Sequence, residues 1–447
     1  MTGEGRRRFI MALGLSLAGL ARPVSARARR GRLDGASLGL EPGAAHDQSA
    51  RLKAALMRAA RLGAVLELPG GRILARDVSI SAPVRMTGRP GARLACASGG
   101  AFLLACERGP VEISNIAFDG RGATATGERG GLLRIHDCRD LSIRRCAFSG
   151  GAGNGLVLRG CKGLVRDNRF SGHGRAAIFS IGGREVRITG NRVSGCANNG
   201  ILVWQEEKRF DGSVVRGNVI RAIRADAGGD GPNGNGVNVF RAGGVMVAGN
   251  VIRDCAYSAV RDNSGDDCRI LRNDCRDIGE VAIFVEFAFV NARVEDNRIS
   301  HASAGIAVTN ADHGGHGAIV RGNVIREMSP RISSPDVLGY GIWAEDRTLI
   351  ENNVVEDAAT AGLWLGWGKY LREVTARGNI LRRCGVGIAV SFAPGAGSAV
   401  ITGNRIEAAR KGAVIGFDHE KAVTGDLLNA DTKIPARLVI GANRAVR

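Results

Sequence analysis

Ile188-Thr189-Gly190-Asn191-Arg192-Val193 is a phrase that returns along the chain, as Val215-Arg216-Gly217-Asn218-Val219-Ile220 and as Val247-Ala248-Gly249-Asn250-Val251-Ile252. Its form is an apolar or β-branched residue, two polar or small ones, Asn, any residue, and an apolar residue. It recurs at Asn273, Asn297, Asn323, Asn353, Asn379 and Asn404, and more loosely at Asn168 and Asn443. From Asn168 to Asn443 the spacings are 23, 27, 32, 23, 24, 26, 30, 26, 25 and 39 residues. A period in this range means stacked repeats. Units so short, dense in Val and Ile with Gly-Asn turns, hold strands and leave no room for helices. A second phrase lies between copies, a small residue followed by alternating apolar positions: Gly200-Ile201, Gly236-Val237, Gly305-Ile306, Gly341-Ile342, Gly362-Leu363 and Gly387-Ile388. The chain reads as an all-β solenoid, a right-handed single-stranded parallel β-helix.

The bulk composition agrees. The 66 glycines supply the tight turns that every coil corner needs. The net charge of +19 is inflated by the first 32 residues, which hold eight Arg and one Glu and leave +12 for the rest. A basic surface attracts nucleic acid, anionic lipid or acidic polysaccharide. With only seven Lys, and no basic run interleaved with aromatics after residue 32, nucleic acid is set aside as a partner.

Residues 1–28 read as an address. Arg6-Arg7-Arg8-Phe9-Ile10 precedes an apolar stretch from Ile10 to Leu20 and small residues at Val24-Ser25-Ala26 and Ala26-Arg27-Ala28. That is a signal peptide. Its paired arginines resemble the twin-arginine signal, whose machinery exports folded proteins, with Gly5 and Met11 as departures. The apolar run is too short to anchor the mature chain in a membrane. The expected location is the periplasm or the exterior. Cys196, Cys255 and Cys384 each fall five residues after a repeat Asn, so they are expected to stack as inward-facing core thiols.

Past a leader, residues 47–63 read as a helix with Asp47 as N-cap, Gly63 as its stop, and Leu52, Ala55, Leu56 and Ala59 on one face. Val65–Leu74 then reads as strand, turn, strand. An open solenoid end exposes unpaired edges, and a helix there would cover them. The expected segments are 29–75 for leader and cap, 76–417 for about thirteen coils, and 418–447 for a C-terminal cap. At roughly 4.8 Å per coil the rod is on the order of 60 Å long.

The run from Asp47 to Leu74 resembles the entry segment of pectate-lyase-like β-helices, which include polygalacturonases and phage depolymerases, and the coils resemble that superfamily's repeat. The whole resembles a group of twin-arginine-exported repeat proteins with no assigned activity. The resemblance implies a fold, and fold alone does not fix function.

The repeated Asn is expected to build an internal ladder rather than a site. Insertions at 205–212, 225–235, 310–317 and 328–339 flank the small-residue strand, so that strand would be the floor of a groove. Registered on the small residue, the outward pairs are Leu202/Trp204, Asn238/Phe240, Arg261/Asn263, Phe284/Glu286, Ala307/Thr309, Trp343/Glu345 and Trp364/Gly366. Trp204, Phe240, Phe284, Trp343 and Trp364 thus form a file on which sugar rings could stack. Glu286 and Glu345, two coils and about 9.6 Å apart, are candidate acid and base of an inverting glycoside hydrolase. Arg261 is the alternative, as base or charge stabiliser in β-elimination, the role Arg has in the pectate-lyase-like enzymes. Asn263–Cys268 resembles the paired-aspartate motif of polygalacturonases, and Gly172-His173-Gly174 and Gly315-His316-Gly317 their Gly-His-Gly, without their spacing. Asp312, His313 and His316 read as a solvated loop rather than a metal site, and no motif specifies calcium. The expectation is an exported protein that binds or acts on an acidic polysaccharide, as lyase or hydrolase, with a non-catalytic glycan-binding or structural role as the alternative.

Overall fold

The computed structural model describes residues 31–121, 123, 127, 129–229, 231–332, 337–429 and 432–446, so the segment 1–28, expected from the sequence to be a signal, lies outside the described residues. The described chain is a right-handed parallel β-solenoid of about 13 turns, with one α-helix near its start. Each phrase preceding the repeat Asn is a strand, such as Val186–Thr189, and these stack into a 16-stranded sheet that runs from Arg32–Asp34 to Leu438–Gly441. The short strands after the Asn and the longer small-residue strands make the other two faces, joined in one 28-stranded sheet. They run together around the corner in Asp274–Glu286 and Arg298–Val308.

The Asn residues set the coil height. Asn191 Oδ1 accepts from both the backbone N–H (3.0 Å) and Nδ2 (3.0 Å) of Asn168, while its own Nδ2 donates to the Val165 carbonyl (3.0 Å). The pattern repeats through Asn218, Asn250, Asn273, Asn297, Asn323, Asn353, Asn379 and Asn404 to Asn443. Each side chain satisfies corner groups that neighbouring coils leave open. The glycine before the Asn is needed at Gly190, where φ is +66° and a Cβ would sit 2.5 Å from Asp167 Oδ1.

Inside, Val, Ile and Leu from all three faces form one continuous core, with Phe118, Phe148 and Phe170 stacked at centroid spacings of 4.8 and 4.6 Å. All ten cysteines are buried free thiols, and burial pushes Cys196 up to about 12. The helix spans Ser49–Arg61 and buries Leu52, Ala55, Leu56 and Ala59, the face read from the sequence. Gln48, not Asp47, holds the N-cap position, because its buried side chain is tied to the N–H and carbonyl of Glu41 (2.8 and 2.9 Å). Asp47 instead accepts the Ser49 N–H at 2.9 Å. At the far end Val414–Asp418 pairs antiparallel with Lys421–Asp426, while Leu438–Gly441 and Arg444–Val446 still stack parallel on the coil before them.

Candidate functional site

The small-residue strands align in one register: Leu202, Asn238, Arg261, Phe284, Ala307, Trp343 and Trp364 are successive partners. Trp204, Phe240, Asn263 and Glu286 form the parallel outward file. This is the register obtained by aligning the sequence on its small residues, so every candidate side chain lies on the outer surface of this sheet. The surface is not bare, however. Trp343 and Trp364 are 9% and 3% exposed, because Ile332, Val337, Leu338, Trp367 and Phe417 pack over them in a second apolar cluster. Trp204, Phe240 and Phe284 are half-buried.

The file divides into three zones. Toward the N-terminus Trp204 meets Phe179 edge to face and Phe240 at a tilt, with centroids 5.2 and 5.5 Å apart, and Trp204 Nε1 donates to Asn238 Oδ1 at 3.1 Å. The middle zone is ionic. Arg261, 7% exposed, donates through Nε and Nη2 to both oxygens of Glu286 (2.7 and 2.8 Å), which is 2% exposed. Asn263 Nδ2 adds a third donor to Glu286 at 3.0 Å, and Arg261 Nη1 lies 3.4 Å from Glu280 Oε2. The guanidinium also sits 4.7 Å from the Phe284 ring centroid. A bidentate pair of this kind, buried and further hydrogen-bonded, fixes the position of both side chains.

The third zone is a pocket. A cavity of about 220 Å³ opens between the ionic zone and the C-terminal aromatics, with Glu280, Phe284, Tyr340, Trp343, Glu345 and Trp367 among its lining residues. Tyr340 meets Trp343 edge-on at 5.3 Å, and Trp367 lies 5.2 Å from Trp343. No acceptor meets the buried Trp343 Nε1–H among the described residues. Leaving such a donor unmet costs about 1–3 kcal/mol. Glu345 is 7% exposed, and burial, with Asp312 and Asp346 nearby, pushes its carboxyl up to about 7 against the N–H that Ala311 donates to Oε2 at 3.0 Å. The pocket therefore offers aromatic walls and a buried carboxyl group raised to about 7.

Of the sequence candidates, the structure joins Arg261 to Glu286 directly and sets Glu345 apart from them, across Phe284. Glu280, Tyr340 and Trp367 were missed. Glu280 precedes the small residue Ala282 from which the outward pairs were counted, and Tyr340 likewise precedes Gly341. Trp367 follows its strand in a tight turn closed on Tyr370. The signal available for it was its spacing, three residues after Trp364. The polygalacturonase-like elements do not meet this pocket: Asp266 is tied to Lys208 (2.6 Å), and His173 is buried beside Phe170 in the core. Asp312 and His313 are exposed, and His316 Nδ1 lies 2.8 Å from the Gly314 carbonyl.

The right handed beta helix region family model matches residues 100–229 and 131–325. No curated protein matches the sequence. Among solved structures, the bacteriophage Phi29 gene product 12 N-terminal fragment is similar with a TM-score of 0.55 at 13% identity, over 93% of this chain and 72% of that one. Tailspike protein 3 of bacteriophage CBA120 gives 0.54 at 11% identity, over 92% and 61%. The Streptococcus pneumoniae surface adhesin PfbA gives 0.47 at 12% identity, over 86% and 91%. No helix among the described residues is long and apolar enough to cross a membrane. At these identities the two phage structures share an architecture and nothing finer, whereas the family match, taken with the coils traced above, covers half of the sequence: the chain belongs to the right handed beta helix region family.

Proposed function

We propose that this is an exported protein that binds an acidic polysaccharide in the pocket of Glu345 and hydrolyses its glycosidic bond. The observation that carries the reading is Glu345 itself, a buried carboxyl group raised to about 7 beside Trp343 and Tyr340. A general acid works best with a pKa near the operating pH, and aromatic walls suit the apolar faces of a sugar ring. In this scheme Glu345 gives its proton to the leaving oxygen as the glycosidic bond breaks, while Glu280, the second carboxylate of the pocket, takes a proton from the water that attacks the anomeric carbon. Arg261 and Glu286 position Glu280 and Phe284, since both oxygens of Glu286 are already engaged. Export through a twin-arginine signal at 1–28 fits ten buried free thiols, because a chain folded in a reducing compartment before translocation keeps its cysteines reduced.

The test incubates the chain from Arg29 onward with acidic and neutral polysaccharides, with and without calcium, and follows reducing ends and unsaturated uronates. The expected result is new reducing ends from an acidic polymer, with activity falling as pH rises above about 7. Glu345→Gln should lower the rate by roughly 100-fold or more. Unsaturated product would replace hydrolysis with β-elimination. A second reading, a non-catalytic glycan-binding module, is favoured by one observation: Glu286, the carboxylate two coils from Glu345, has no oxygen free. Saturable binding without products would establish it.

A further inference from the structure

A second groove lies away from this pocket, on the face made by the short strands that follow the coil corners. Its rungs are Ala92–Cys96, Ala117–Asp119, Ala147–Ser149, Arg169–Ser171 and Arg192–Ser194, and its volume is about 700 Å³. In register, Arg93, Ala117, Ala147, Arg169 and Arg192 succeed one another along its floor. Later coils continue this file with Val219, Val251, Asp274, Arg298, Val324 and Val354. Two alanines therefore lower the floor, and arginines stand at both ends of the depression. Arg145 forms a side wall, donating through Nε to Asn115 Oδ1 at 2.9 Å.

Most of this charge has no carboxylate paired with it. Asp167 is the one carboxylate of the lining, and it is taken by Arg166 outside the groove at 3.0 Å. Arg93 has Asp119 at 3.2 Å, but among the described residues no carboxylate pairs with Arg145, Arg169 or Arg192. Arg169 and Arg192 are direct rung partners, about 4.8 Å apart at the backbone, and like charges so placed destabilise a sheet. The same face shows how the fold neutralises arginine elsewhere: Arg326, Glu356, Arg382 and Glu407 alternate in sign at contacts of 2.8, 2.8 and 3.0 Å.

We propose that this groove is a separate binding site for an extended acidic polysaccharide, its carboxylate or sulfate groups meeting Arg93, Arg145, Arg169 and Arg192. The lining contains no aromatic ring, so it lacks the platforms on which nucleic-acid bases stack. The floor is rigid, backed by the Phe118–Phe148–Phe170 stack and by the start of the Asn ladder at Asn168. The site is independent of whether Glu345 cleaves anything.

The experiment measures binding of fluorescent polygalacturonate oligomers to the mature chain at increasing salt, against neutral dextran and a single-stranded oligonucleotide of matched charge. Binding is expected for the uronate, weakening with salt and absent for dextran. Arg169→Ser/Arg192→Ser should weaken it by roughly tenfold. The charge-matched control Arg298→Ser/Arg444→Ser, with both positions exposed on other coils, should change it less than twofold. Equal losses in the two double variants, no uronate binding, or equally tight oligonucleotide binding would each overturn the proposal; an unchanged melting curve excludes misfolding as the cause.

Discussion

Asp262 shows what a single buried carboxyl costs. It sits inside the coil between Val239 and Val285, fully buried, with the Cys268 thiol and the Gly265 backbone as its polar neighbours. Burial pushes it from 3.8 up to about 8, with Glu286 and Asp266 adding to the rise and Cys268 and the Gly265 backbone opposing it. The sign follows. Between these two values the folded chain holds a proton that the unfolded chain has lost, so stability declines as pH rises, by about 1.4 kcal/mol per unit. Asp262→Asn removes this slope. The variant should melt at a temperature close to wild type near pH 4 and clearly above it at pH 8; parallel curves for both proteins would show that Asp262 is not the group responsible. Glu345 obeys the same electrostatics in a cavity open to ligand, which is why one raised carboxyl reads as a defect of the core and the other as a proton donor.

At the scale of elements, the ladder is the structural backbone of the fold. Asn297 Oδ1 accepts the N–H and Nδ2 of Asn273 (2.9 and 3.0 Å), and its Nδ2 donates to the Ile270 carbonyl at 2.9 Å. Asn297→Ala removes these and the bond from its Nδ2 to Asn323 Oδ1 (3.0 Å), and strands buried partners on both neighbouring coils, so it should destabilise by about 2–4 kcal/mol, read as a shift in denaturant midpoint. Asn443→Ala, in the terminal, part-buried rung, should cost less. A similar loss at both sites would mean that the ladder does not act rung by rung. This regularity made the fold legible. A strand's period of two, phased by the Asn and the small residue, placed Trp343 and Glu345 on the correct face without coordinates. What covers that face was not legible. Whether Trp364 is open or shut depends on Ile332, Val337 and Phe417, which arrive from loops and from the C-terminal hairpin whose packing follows no repeat. Glu280 was hidden for the same reason, since the strand is irregular between Ile278 and Val281.

On the scale of the whole molecule, the solenoid is a rod that carries two different surfaces. One is an enclosed, aromatic, acid-bearing pocket in the C-terminal half; the other is an open cationic groove in the N-terminal half. A long polymer suits such a body, because a stack of coils presents binding rungs along its axis. The central claim is that a sugar enters the Glu345 pocket, and the protein carries its own reporter. Three of its four tryptophans, Trp343, Trp364 and Trp367, lie in the aromatic cluster around that pocket, with Trp204 apart from them. The measurement is a fluorescence titration of the mature chain with short acidic oligosaccharides. A saturable change in tryptophan emission, kept in Trp204→Phe and lost in Trp343→Ala, is the predicted result. Emission that does not respond, or that responds equally in Trp343→Ala, would contradict it.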